Sequence, residues 1–207
     1  MSRDSRDMRP MAKSVHTIYT RFGDQGQTRL LSGETVAKDD LRVDTYGALD
    51  ELQSHLGMAR ALVRQEIFRP MLLELQEELF VAGAELASTP ASLNRLKRRI
   101  TKLEASALEA KIDGLTASFG ISRSFVIPGM SPDSAALHVA RSVCRRVERL
   151  VVRLNRHTND YQDLIVYFNR LSDLLFVMAW SATVNAVIEN VLDGLVSVTN
   201  QARRLTS

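Results

Sequence analysis

The sequence predicts an all-α fold: an up-and-down five-helix bundle behind an irregular N-terminal arm. Composition is the first indication. Apolar residues make up 45% of the 207, aromatics only 6%, with 5 prolines and 10 glycines, which is the profile of a mostly helical globular chain. The second is periodicity, since apolar residues from Asp44 onward recur at steps of three and four. The third is length, which suits one domain with a continuous core.

Each element follows in order. Residues 1–16 are expected to form a disordered, soluble tail, because Asp4 and Asp7 offset Arg3, Arg6 and Arg9 and no apolar stretch marks a signal or transit peptide. The bundle domain is expected over 17–190, with a C-terminal tail over 191–207. Thr45, Leu49, Leu52, Leu56, Ala59 and Val63 form the first helical stripe. Leu72, Leu75, Leu79, Ala82 and Leu86 form the second, ended by Ser-Thr-Pro at 88–90. Ile100, Leu103, Ala107, Ala110 and Leu115 are read as the third. Ala136, Ala140, Val143, Val147, Leu150 and Leu154 make the fourth, entered through Ser131-Pro132-Asp133, with Pro132 suited to a first turn. Leu164, Phe168, Leu171, Leu175 and Met178 make the fifth, continuing toward Val187. Alternating steps of three and four favour near-parallel packing at shallow angles.

The faces opposite these stripes carry the unusual residues. Arg141, Arg145 and Glu148 lie opposite the core on the fourth helix, and Asn169, Asp173, Phe176 and Trp180 on the fifth. On the first helix the opposite face holds Gly47, Asp50, Ser54, Gly57 and Ala61, nearly all small. Rows of small residues, and aromatics beside amides and carboxylates, suit contact with another chain better than solvent.

Composition also narrows the function. The net charge of +3 is modest, but the cations are overwhelmingly arginine, suited to planar recognition of phosphate or carboxylate. No uninterrupted apolar run approaches the roughly 20 residues needed to span a bilayer, and no membrane role is expected. The single cysteine, Cys144, excludes an internal disulfide, suits a cytoplasmic location and reads as a small core hydrophobe. His16, His55, His138 and His157 share no metal-ligand spacing.

The richest segment is Ile18 to Arg29 with Ser32 to Asp40. Gly23 and Gly26 let the backbone turn and approach a ligand, and Thr20 and Thr28 offer hydroxyls. Arg21, Arg29 and Lys38 can offset negative charge, and Asp24 is a weak candidate to hold Mg²⁺. The set suits a polyphosphate, although no Walker pattern is present.

Several ordered blocks carry a family resemblance. They are Tyr19 to Thr28, Lys38 to Val43, Tyr46-Gly-Ala-Leu-Asp-Glu-Leu52, Phe125-Val-Ile-Pro-Gly129, Ala136 to Arg141 running into Cys144 to Arg149, and Phe168 to Phe176. Over roughly residues 17–180 the chain resembles the PduO-like ATP:cob(I)alamin (corrinoid) adenosyltransferases. The resemblance implies a helical-bundle homotrimer that transfers the 5′-deoxyadenosyl group of ATP to the cobalt of reduced cobalamin and releases triphosphate. Cob(I)alamin is itself the nucleophile there, and the chain shows no Ser-His or Cys-His pair to supply another. A cobalt reductase and an adenosylcobalamin-dependent enzyme are implied as functional partners, and nucleic acid is not.

By that resemblance Thr20, Arg21, Phe22, Gly23, Thr28, Arg29 and Lys38 wrap ATP, and Arg145, Arg146, Glu148, Arg149 and Asn169 complete the site. Arg145 is the candidate to stabilise charge on the triphosphate. Asp50 and Arg141 are implied to pair between subunits, and Phe125 to stand at the corrinoid, blocking the lower axial position of cobalt. Phe22, Arg21, Met130 and Trp180 depart from the family's usual residues, which bears on affinity and on the favoured corrinoid. Two other readings compete. One is a basic helical RNA-binding module using Arg95-Leu-Lys-Arg-Arg99, and the other an ATP-binding regulatory relative without turnover.

Overall fold

The computed structural model describes Tyr19 and residues 21–205, with side chains through Gln201. Thr20 and the segment 1–16 therefore lie outside the described residues. Five α-helices follow a small hairpin. Strands β1 (Gln27–Arg29) and β2 (Thr35–Ala37) pair antiparallel with Thr28 opposite Val36, so the arm is less irregular than expected. Helix α1 spans Leu41–Leu62, capped by Asp40, whose carboxylate accepts the Arg42 N–H at 2.8 Å. Helix α2 spans Phe68–Leu86, and a 3₁₀ turn follows at Pro90–Arg95. Helix α3 spans Lys102–Phe119, α4 Pro132–Thr158 and α5 Gln162–Leu205. Ser131 caps α4 with Pro132 in the first turn, as the sequence predicts.

The packing order across the bundle is α2, α1, α4, α5, α3. Lys111 of α3 pairs with Glu74 of α2 at 2.9 Å, and the Tyr167 hydroxyl of α5 donates to Glu78 of α2 at 2.8 Å. All the core residues expected on the first, second, fourth and fifth stripes are buried. The third stripe is a correction. Leu103, Ala107 and Ala110 are exposed, whereas Ala105, Leu108 and Leu115 are buried, with Ile112 and Phe119 packed against the core. Thr101 and Glu104 form a capping box that starts the helix after Ile100, so Ile100 is a buried residue of the approach and does not set the helical register.

The segment expected as a C-terminal tail continues α5 as helix to Leu205. By composition α5 is long and apolar enough to cross a membrane, but 61% of its most apolar stretch is buried inside the bundle. Buried Arg42 holds three parts of the fold together, donating to the Ser88 carbonyl and the Tyr161 hydroxyl, both at 2.6 Å. The arm sits beside this clamp. The Leu31 N–H donates to the Ala87 carbonyl at 2.9 Å, and the Thr89 N–H to the Ser32 hydroxyl at 3.2 Å.

Candidate functional site

The arm builds one half of a site. Arg21 adopts the left-handed conformation at φ 60° and leads into a 3₁₀ turn, Phe22–Gln25, closed by Gly26 at φ 75°. The Gly26 N–H donates to the Gly23 carbonyl at 3.2 Å, and the Lys38 N–H donates to the Gly26 carbonyl at 2.8 Å. That second bond carries the start of α1 back onto the turn. A Cβ on Gly23 would stand 2.9 Å from Lys38 Nζ, so glycine is what lets the ammonium rest against this backbone. The Arg29 guanidinium lies 5.1 Å from the Phe22 ring centre, and that of Arg21 lies 5.7 Å from the Tyr19 ring. Phe22, a departure in the sequence, thus acts as a platform for Arg29. Arg21, Arg29 and Lys38 converge on one exposed turn, with half-buried Thr28 in the adjacent strand. Asp24 stands there alone, for no cluster of three potential ligands occurs among the described residues.

Helices α4 and α5 build a second half. Arg141, Arg145 and Glu148 follow one another along one strip of α4. Glu148 accepts from the Asn169 side-chain amide at 3.2 Å, and that amide's Oδ1 accepts from Arg170 at 2.7 Å. Arg170 also donates to Glu109 at 2.6 Å. Arg145 is exposed and makes no ion pair among the described residues. A guanidinium left unmatched beside a carboxylate–amide pair is free to meet an anion. Glu51, Glu109 and Arg170 are contributors that sequence reasoning missed. Only the fold sets them beside residues of distant helices.

The expected arginines divide. Arg146 lies about 100° round the helix from Arg145 and pairs with Glu51 of α1. Arg149 shares that side, lining an open cleft of about 470 Å³ with Arg146, His138, Ser142, Pro128 and Gly129. His138 is buried without a hydrogen-bond partner among the described residues, and burial, reinforced by Arg141, holds its imidazole below the ordinary range. Asp50 lies in another cleft of about 600 Å³ between α1 and α2, beside Tyr46, Gly47, Phe80 and Gly83. Within one chain it does not meet Arg141, whose Nε is buried with no partner among the described residues. Phe125 is fully exposed in the 121–130 loop, with Ile127 beside it.

Two of the four cations in Arg95-Leu-Lys-Arg-Arg99 are matched within the chain, while Arg95 and Lys97 are exposed with no ion pair among the described residues. Arg98 donates to Glu104 at 3.1 Å, and Arg99 to Glu85 at 2.9 Å and to the Asp160 carbonyl at 3.0 Å. With Arg98 and Arg99 matched in this way, only Arg95 and Lys97 of the run are left to meet a nucleic acid backbone.

A family model described as Cobalamin adenosyltransferase matches residues 18–182. A corrinoid adenosyltransferase of Citrobacter freundii is 47% identical over 165 residues, covering 80% of this chain and 94% of that protein. The corrinoid adenosyltransferase PduO of Salmonella typhimurium is 40% identical over 175 residues, covering 84% of this chain and 52% of that longer protein. Among solved structures, a variant PduO-type ATP:corrinoid adenosyltransferase from Lactobacillus reuteri, complexed with cobalamin and ATP, is 38% identical with a TM-score of 0.74. The match covers 81% of this chain and 93% of that one.

Proposed function

The chain belongs to the cobalamin adenosyltransferase family, and on that premise we propose that it is an ATP:corrinoid adenosyltransferase. It transfers the 5′-deoxyadenosyl group of ATP to cob(I)alamin. Cobalt(I) donates its electron pair to the ribose 5′ carbon, the bond from that carbon to oxygen breaks, and the pair leaves on triphosphate. The products are adenosylcobalamin, with cobalt formally at the +3 level, and triphosphate. The observation that carries this reading is the convergence of Arg21, Arg29 and Lys38 on one glycine-bracketed turn. Fixed cations aimed at a departing polyanion stabilise the transition state more than the ground state.

The active form in this reading is a homotrimer whose sites lie between copies. In one chain the arm is fastened to the Ala87–Thr89 segment, while Arg145, Glu148 and Asn169 lie on the α4–α5 face. No hydrogen bond or ion pair among the described residues joins the two halves, and a neighbouring copy would bring them together. Asp50 and the unpartnered Arg141 then pair across that boundary, and Phe125 faces the corrinoid. Mg²⁺ would arrive with the nucleotide, held by phosphate oxygens and water, with Asp24 the one carboxylate of the turn able to add a ligand. A cytoplasmic enzyme supplied by a cobalt reductase and feeding an adenosylcobalamin-dependent enzyme completes the proposal.

The test is optical. Purified protein with ATP and chemically reduced cobalamin should convert the cob(I)alamin spectrum to that of adenosylcobalamin. ATP binding without conversion would leave a regulatory nucleotide binder instead.

A further inference from the structure

The bundle buries α5 only through Ala186, yet the helix continues to Leu205, beyond the family match at residue 182. From Val184, the apolar residues Ile188, Val191, Leu195 and Val198 follow one line, Ala202 and Leu205 continue the spacing in sequence, and Val187, Leu192 and Val196 lie off it. The steps are four, three, four, three, four, three, which is a heptad seam sustained over about 33 Å of helix. Ile188, Val191, Leu195 and Val198 are between 50% and 66% exposed, so none of the described residues covers the seam. Among the described residues the one polar tie back to the bundle is Glu189 to Arg64.

This extension is a poor helix by itself. It is rich in β-branched valine and carries Gly194 in its interior, both of which weaken an isolated helix in water. A covering partner is needed, and the pattern identifies its chemistry. Strict alternation of three and four selects another helix of the same pattern, and a second copy of this chain offers one. The charged residues Glu189, Asp193, Arg203 and Arg204 all fall outside the seam and its flanks. Identical copies can therefore pack without setting like charges together. The flanking positions next to the seam are uncharged and include Val187 and Leu192, which broadens the apolar stripe toward more than two helices. A membrane surface fits less well, because Glu189 and Asp193 offset Arg203 and Arg204 and the segment has no excess of positive charge to draw it to anionic lipid.

We propose that residues 184–205 of α5 form a parallel coiled coil with the same segment of other copies of this chain. The inference goes beyond the adenosyl-transfer reading, and only its parallel sense rests on the proposed threefold assembly.

Cysteine cross-linking in the full-length protein tests it, since Cys144 is buried and will not compete. Val191→Cys and Val198→Cys, each made alone, should form disulfide-linked dimers on a non-reducing gel after mild oxidation. Asp193→Cys, pointing away from the seam, should not. Leu195→Asp should raise the concentration at which the assembly dissociates by on the order of tenfold or more, because a charge enters the seam. Absence of links at 191 and 198 overturns the proposal. So does linkage only between mixed Val191→Cys and Val198→Cys chains, which marks antiparallel helices, and so does capture by anionic vesicles with no self-association. Adenosylcobalamin formation is read on the same samples. Turnover without links overturns this inference alone, and links without turnover uphold it while overturning the catalytic reading.

Discussion

Arg145 and Glu78 show how differently two charged residues behave in this bundle. Arg145 is exposed and unmatched, beside a carboxylate already engaged by Asn169. Arg145→Ala should lower turnover by about 100-fold or more while the melting temperature stays near the parent's, by analogy with other fixed donors to developing negative charge. Optical turnover and thermal unfolding of the same preparation check it, and near-normal turnover would move triphosphate stabilisation to Lys38 and the arm. Glu78 is buried, and burial pushes its carboxyl above the ordinary value of 4.5, with the Tyr167 hydroxyl acting in the other direction. The folded state then holds this proton more tightly than the unfolded chain does. Stability from this group is present at low pH and falls as pH rises from 4.5 through the raised folded value. Glu78→Gln keeps an oxygen for Tyr167 and removes the titration. The variant's melting temperature relative to the parent should therefore be higher at about pH 8 than at about pH 4, and an unchanged difference would place the Glu78 charge in contact with solvent.

At the scale of elements, α3 shows where sequence reasoning stops. Leu108 is fully buried and Leu103 is 79% exposed, although the apolar spacing counted from Ile100 selects Leu103. Leu108→Ala should cost about 2–5 kcal/mol, with Leu103→Ala within about 0.5 kcal/mol of the parent, measured by urea unfolding. The other four stripes were legible because each begins inside its helix and repeats for at least four turns. The α3 register was not, because its first apolar residue belongs to the approach and the capping box starts the helix after it. The β1–β2 pair is too short to show an alternation of its own. At the site, the cationic turn was legible from Gly23, Gly26 and their neighbours, since local backbone chemistry is written in adjacent residues. The pairing of Arg146 with Glu51, 95 positions away, depends on how α1 lies against α4, and so the sequence left Arg146 grouped with Arg145. Residues 191–207 read as a tail, and the helix there was missed, because how far α5 runs past the bundle is a property of where the packing ends.

For the molecule as a whole, the two halves of the site imply a test of assembly. If the arm of one copy serves the α4–α5 face of another, Lys38→Ala and Arg145→Ala damage different contributors to the same site. Each variant alone should be nearly inactive. Mixed trimers formed by co-expression should regain about a quarter of the parental sites, because random association gives some sites both intact contributors. A mixture no more active than its parts would place both residues in one chain's site. The attachment of the arm has a further consequence, for proteolysis. Its hydrogen bonds to the segment after α2, at Ala87 and Thr89, are few, and Leu30 is its one buried residue among those described, so the arm can open without unfolding the bundle. Arg21, Arg29 and Lys38, the residues gathered to meet a polyanion, are also exposed cut sites for trypsin. Limited digestion should clip the empty protein within the arm and leave the helices whole. Saturating ATP should slow that clipping about as far as it shifts the arm toward its closed state, making the rate of nicking a ligand gauge independent of any cobalt chemistry.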